Sequence, residues 1–441
     1  MIVRDKHIGI TASAVQGAIG EFMREVRPRL GLLARAYEGK GAIASRTRAA
    51  GLPNNRLVHA YPRYIVTMAS GYLVGKPVTY SVREESDALR EMMRAYAASD
   101  MDSVDAELAS HASVYGRGVC ICYTDEAGRM RCSALDPREA FVVYDDTVEH
   151  KPVFGVHWLE RHDENGRRCG MSIHVHTPHE EIVFEGKGLL TACEETHRTP
   201  HFFGGVPMVE FWNNAQETGD FEPVLSLIDA YDALESDRVN DKQQFTDAVL
   251  LLTGCTLEND DPSDARSPAQ RLLEEKTLSL PDTDAKAEWL MKQSDEAGCE
   301  VLRNALRSDI HKMSMVPDLT DECFASNASG VAMRYKLLGL EQLTGIKERW
   351  FREGLRSRLR LYAHFYTVLT AQEMDADAVD ILFTRSLPVN ESETAQMVAQ
   401  LDGIVPKRLL LGRLPFVEDV SQAMDELKEE SRAAHLEEAC P

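Results

Sequence analysis

The spacing of apolar residues divides the chain into an N-terminal part of mixed texture and a C-terminal part that is mainly helical. Between Ile10 and Tyr37, the residues Val15, Ile19, Phe22, Val26 and Leu30 recur at steps of 4, 3, 4 and 4, which predicts a helix with one buried face. Residues 38–55 (EGKGAIASRTRAAGLPNN) carry three glycines, a proline and an Asn pair, and predict a loop. A second helix is expected over Leu57–Leu73, stopping at Gly71–Pro77 and feeding the extended run Val78–Val82. Residues 85–115 again predict helix. From Gly116 the period changes to two, and Val119–Tyr123, Phe141–Tyr144, Val153–Trp158, Ser172–His176 and Glu181–Phe184 predict short strands. Residues 1–215 therefore read as an α+β domain.

From Phe221 the helical period returns, with Val224, Ile228, Tyr231 and Leu234 on one face. Polar residues fill Glu235–Gln244, and Phe245–Leu252 turns apolar until Gly254 stops the helix. An acidic, proline-punctuated insert, Cys255–Asp295, follows, with short strand or helix signals such as Lys276–Leu280. A second helix, Glu296–Met315, ends at Pro317. The loop 317–330 leads into the longest predicted helix, Val331 to about Leu369, with Leu355, Leu359, Tyr362, Tyr366 and Leu369 on one face. Such a helix is on the order of 60 Å long, and Gly339, Gly345 and Gly354 are places where it could kink. Residues 379–417 predict a strand and a short helix, and Glu418–Ala439 a last, acidic helix. The fold class expected is α+β, helix-rich.

A chain of 441 residues is long enough for two or three substructures. It has no run of 18 apolar residues and its start lacks the apolar core of a signal peptide, so it is expected to stay in the cytosol where it is made, with no membrane partner. The nine cysteines have no CxxC pair and describe neither a disulfide framework nor a zinc pattern; Cys120 and Cys122 share one strand face and read as small apolar fillers. A net charge of −22 argues against tight binding to nucleic acid, which is driven by neutralising phosphates. It leaves room for a surface past which DNA slides.

Several segments, in order, resemble the SPP1-type phage portal protein family. They are Tyr37–Gly39, Pro53–Leu57, Tyr72–Pro77, Val114–Gly116, Leu135–Pro137 with Val142–Asp145, Val206–Pro207 with Glu210–Asn214, Gly219–Glu222, Leu227–Tyr231 with Ser236–Asp237 and Asn240–Asp241, Val316–Asp318, and Ala328–Ala332. The resemblance implies a portal-type fold in a ring of twelve subunits at one capsid vertex, assembled in the host cytoplasm and carried into the virion. It implies a wing (1–220), a first stem helix (221–254), a clip (255–295), a second stem helix (296–316), a tunnel loop (317–330), a long wing helix with its return strand (331–400), and a small C-terminal crown (401–441). The partners implied are the large terminase subunit, scaffolding and major capsid proteins, head-completion or adaptor proteins, and double-stranded DNA passing through the channel. Ser326, Asn327, Ser329 and Gly330 would face that DNA from the tunnel loop.

Other signals are weighed in that light. Arg303, Arg307 and His311 step by four along the second stem helix, with Lys312 beside them; they would line the tunnel or pair between subunits. Arg349, Arg352, Arg356 and Arg360 form a basic stripe on the long helix, read first as a salt-bridged face and second as a DNA-facing one. The polar middle of the first stem helix suggests cover by a neighbouring subunit. His174 and His176 share a strand face with His179–Glu180 nearby, too few converging ligands for a metal. No GxxxxGK[ST], GxSxG or HExxH occurs, so no cofactor or catalytic group is expected. The alternatives are a DNA-processing enzyme such as a metal-dependent nuclease, which would need clustered carboxylates with a Lys or His, and a plain helical adaptor.

Overall fold

The structure is a computed structural model and describes residues 1–50, 52–82, 86–245, 249–253, 286–290, 295–319, 335–385 and 391–411, with scattered positions to 427. The first predicted helix forms as α1 (Ala12–Glu21) and α2 (Arg27–Tyr37), joined without a break by a π turn over Phe22–Val26. Pro28 has no N–H to return to the preceding turn, and the Arg27 N–H bonds instead to the Phe22 carbonyl five residues back. α3 (Tyr61–Val74) and the edge strand β2 (Thr79–Val82) follow. The helical stretch 85–115 is two helices, α4 (Asp87–Ala97) and α5 (Met101–Tyr115), because Asp100 takes a left-handed backbone conformation at φ 50° and breaks the ladder.

Two sheets follow. The larger takes β1 (Ile2–Arg4), β5 (Ala140–Asp145), β6 (Pro152–His162), β7 (Arg168–His176), β8 (Glu180–Gly186) and β9 (Cys193–Pro200), in the order β1-β5-β6-β7-β8-β9, parallel only between β1 and β5. Period two sends Phe154, Val156, Trp158, Ile173, Val175, Ile182 and Phe184 to one face, where they pack on Val15, Ile19, Phe22 and Leu30 of the α1–α2 helix. Phe22 stacks on Phe141 with ring centroids 4.7 Å apart. The smaller sheet pairs β10 (Met208–Trp212) with β3 (Arg117–Thr124) and β3 with β4 (Met130–Leu135). β1, β4, β9 and β10 add to the five strands that period two predicts; they are short, polar or edge segments whose apolar alternation is weak.

The predicted long helix is α8 (Leu338–Thr370), about 50 Å of helix at its observed 33 residues. Leu355, Leu359 and Tyr362 are buried in a second core with Leu89, Met92, Leu108, Cys120 and Phe211. A Cβ on Gly354 would lie 2.6 Å from the Phe211 ring, so this glycine lets helix and strand close together. Inside that core Arg358, fully buried, pairs with Asp105 at 2.7 Å and donates to the Tyr96 hydroxyl at 2.9 Å. β13 (Val379–Leu382) returns to pair with β2. Among the described residues, β11 (Val249–Thr253) and β12 (Lys286–Leu290) pair only with each other. This corrects one expectation. The apolar run after Phe245 does not prolong the helix α6 (Leu225–Phe245), because Val249–Thr253 finds a partner strand in register with Lys286–Leu290.

α7 (Glu296–Ser314) follows that pair, and α9 (Glu391–Leu401) and α10 (Lys407–Leu411) close the described chain. Lys276–Leu280 and nearly all of the acidic segment Glu418–Ala439 lie outside the described residues. None of the described helices is long and apolar enough to cross a membrane.

Candidate channel hairpin and its anchor

α6 and α7 are antiparallel partners. Arg238 on α6 meets Glu296 and Glu300 of α7, each at 3.2 Å, and Arg303 of α7 reaches back to Glu235 at 3.2 Å. Each exposed pair contributes little alone, on the order of 0–1 kcal/mol, but the interleaved set fixes the register of the two helices.

The first of these helices does not wait for a neighbouring subunit to cover its polar middle. A single stripe at steps of four runs from Val224, just before α6, through Ile228, Asp232, Ser236 and Asn240 on it, and all five are buried. The non-helical segment 54–59 lies along the polar half of that stripe. The backbone N–H of Asn55 donates to Asn240 Oδ1 at 2.8 Å, that of Leu57 to Ser236 Oγ at 2.9 Å, and that of His59 to Asp232 Oδ1 at 2.9 Å. Two residues of extended chain advance about 6.6 Å and four residues of helix about 6 Å, so the two periods stay in step over three rungs. Arg46 pairs with Asp237 at 2.8 Å, and Arg48 reaches the same carboxylate. This stripe of the polar middle is covered within the subunit, while Lys242 and Gln243 remain exposed. The sequence signal was present: an apolar stripe that continues into Asp, Ser and Asn without changing its step.

A second polar knot sits where the α+β part hands over to the hairpin. Asp220 is buried with Lys347 of α8 against its carboxylate; Ser113 donates to it, and the Asn213 amide does so at 2.8 Å. Asn213 receives its place from its own N–H, which bonds to the Gly116 carbonyl at 2.9 Å. Gly116 is required there: its φ is +85°, and a Cβ would fall 1.9 Å from the Glu217 carbonyl oxygen. Segments far apart in sequence (Val114–Gly116, Asn213–Asn214, Gly219–Phe221) thus meet at one point.

The base of the loop 317–330 is held from two sides. The Tyr64 hydroxyl donates to the Pro317 carbonyl at 2.7 Å, and His311 Nδ1 lies 3.0 Å from the Val316 carbonyl. Asp318 stands 3.8 Å from Arg307 and 3.7 Å from His311. Of the basic row on α7, Arg303 is therefore engaged by Glu235 and by Glu300 at 2.8 Å, Arg307 and His311 face Asp318, and Lys312 is exposed. Ser326, Asn327, Ser329 and Gly330 lie outside the described residues, as does all of the expected clip except β12 and Asp295.

The basic stripe of α8 meets acids of its own chain. Arg352 pairs with Glu348, and Arg356 and Arg360 both pair with Asp377 at 3.1 Å, while Arg349 is exposed. His174 and His176 join His157 in a stack, His157–His174 at 4.7 Å and His157–His176 at 5.1 Å between ring centroids. His174 bonds Glu181 at 2.8 Å, which holds that carboxylate down to about 2. Burial pushes His157 down to about 3 and His176 to about 4, so both rings are neutral near pH 7.

A sequence profile described as "Phage portal protein, SPP1 Gp6-like" matches residues 23–435, nearly the whole chain. The chain belongs to that family. It is 25% identical over 393 residues to the portal protein of Bacillus phage SPP1, covering 86% of this chain and 76% of that one. It is 23% identical over 388 residues to the portal protein of Clostridium phage phiCD119, covering 84% and 83%. The function is that of a phage portal protein, a structural component of the virion. Several of the segments that resemble the family meet in the two polar knots: Pro53–Leu57 rests on Ser236–Asp237 and Asn240, and Val114–Gly116 on Asn213–Asn214 and Gly219–Phe221.

Proposed function

We propose that this portal subunit forms a ring of the family's size at a capsid vertex, with α6 and α7 as the stem, the segment between them as the clip, and 317–330 as the loop facing DNA. In this reading the ring nucleates the procapsid with scaffolding and major capsid proteins. It docks the large terminase during packaging and later seats head-completion proteins. The observation that carries it is apolar surface along the second stem helix and the start of the long helix. Val301, Leu302, Met313, Met315, Leu338 and Ile346 are each about half or more exposed, against the rule that a monomer keeps such side chains scattered. A repeated contact around a closed ring would cover them. The internal pairing of Arg303 and of the α8 arginines also suits a passive conduit, because cations already matched by carboxylates grip phosphates weakly.

Negative-stain images of the purified protein test the proposal. Rings with a central hole are expected, with Leu302→Glu combined with Met313→Glu giving folded single subunits. Compact monomers from the wild-type chain over a wide concentration range would overturn it.

A further inference from the structure

We propose that Cys120, Cys122 and Cys132 form a buried thiolate site for a soft divalent d10 cation, zinc in the cell. Spacing along the chain hides this set, since Cys132 lies ten residues beyond Cys122 with a turn between. The β3–β4 register brings them together. Cys122 and Cys132 are directly opposed across the two strands with their sulfurs 3.4 Å apart, and Cys120 lies two residues back on the same face. All three sulfurs lie within 4.8 Å of one another. Zinc–sulfur bonds are about 2.3 Å, which puts sulfurs around one ion roughly 4 Å apart, so the set closes on a cation with small side-chain shifts.

The site is dry and lies in the same core as Arg358. The three residues are 0%, 1% and 7% exposed, so water does not compete for the sulfurs. Arg358 is itself fully buried, and its Nη1 has no hydrogen-bond partner among the described residues. Three thiolates around a divalent ion leave one negative charge beside the buried Arg358–Asp105 pair; a monovalent ion would leave two. The Tyr362 hydroxyl lies 3.8 Å from Cys132 Sγ and donates to the Met130 carbonyl at 3.3 Å, a neutral oxygen at the edge of the cluster. Entry is short, because the strand pair ends two residues further at Thr124 and Met130, beside an exposed turn. Binding releases the thiol protons and ties the β3–β4 hairpin to α8.

Cadmium serves as the probe, on full-length protein purified under reducing conditions and stripped with a chelator. The expected result is one cadmium per subunit, a near-ultraviolet thiolate-to-cadmium band, and a higher unfolding temperature. Alkylation under partial denaturation, read by mass spectrometry, should show Cys120, Cys122 and Cys132 protected by the metal and the exposed Cys169 unprotected. Cys132→Ser should abolish the band and Cys169→Ser retain it. No band in the wild-type protein, or protection mapping to other cysteines, would overturn the proposal even where the Cys132 variant fails to fold.

Discussion

The backbone N–H of Asn55 donates to Oδ1 of Asn240, 185 residues away, at 2.8 Å, and the Asn55 side chain donates to the same oxygen at 2.8 Å. One buried side-chain oxygen thus satisfies two donors of a segment that has no strand to pair with. The same device repeats at Leu57 with Ser236 and at His59 with Asp232.

Removing one rung leaves backbone donors unmet in a buried place. Asn240→Ala is expected to cost about 1–3 kcal/mol, and Ser236→Ala a similar amount. Denaturant midpoints of the two variants, with hydrogen exchange over residues 54–59, check this. Unchanged midpoints with unchanged exchange would mean that the ladder contributes nothing.

Asp220 and Lys347 form a buried pair that joins the start of the hairpin to the long helix. Lys347→Met leaves the carboxylate without its cation and is expected to destabilise by about 3–5 kcal/mol. Adding Asp220→Asn removes the stranded charge, so the double variant should be more stable than Lys347→Met alone. A thermal-unfolding cycle over the four proteins measures the coupling; additive losses would show that the two residues act independently.

The histidine stack on the β6–β8 face sets an acid limit. His157 and His176 have folded values near 3 and 4, below the ordinary 6.5, so the unfolded chain binds more protons between about pH 6.5 and 3. Stability is fully present above pH 6.5 and falls as pH drops through that window. Glu181, held near 2 against 4.5, adds a loss of the same sign from about 4.5 downward. His157, His174, Glu181 and His201 are the titrating neighbours of His176. His157→Gln should flatten the decline of unfolding temperature between pH 6.5 and 4. A slope equal to that of the wild type would assign the acid loss elsewhere.

The tunnel-loop proposal has its own test. A lysine at Asn327 would place one cation per subunit, about a dozen in a ring of the family's size, at one level of the channel. Phosphate neutralisation contributes once per charge and depends steeply on salt. Asn327→Lys rings should assemble and package poorly, with part of the defect relieved at higher salt. Nuclease-protected DNA per procapsid at two salt concentrations is the measurement, and wild-type packaging at both would take 317–330 out of the channel wall.

By itself the sequence determined the elements whose pattern is local. Period 3.6 marks α1–α2, α6, α7 and α8, and period two marks β3 and β5–β8, because burying one face of a helix or strand writes its spacing into the chain. The ordered segments also identify the family. Tertiary structure alone decided what covers a polar face. Asp232, Ser236 and Asn240 look like a solvated or intersubunit surface until residues 54–59 are laid on them, and no local signal says which distant N–H will arrive. It also decided whether Val249–Thr253 is helix or strand, since an apolar run fits both and only pairing with Lys286–Leu290 selects one. Gly354 shows the same limit: a glycine in a helix is a weak point by propensity, and only the Phe211 ring against it shows why none of the larger residues fits. Long-range register is the common cause, because a contact across tens to hundreds of residues is fixed by the whole fold and not by either partner's neighbours.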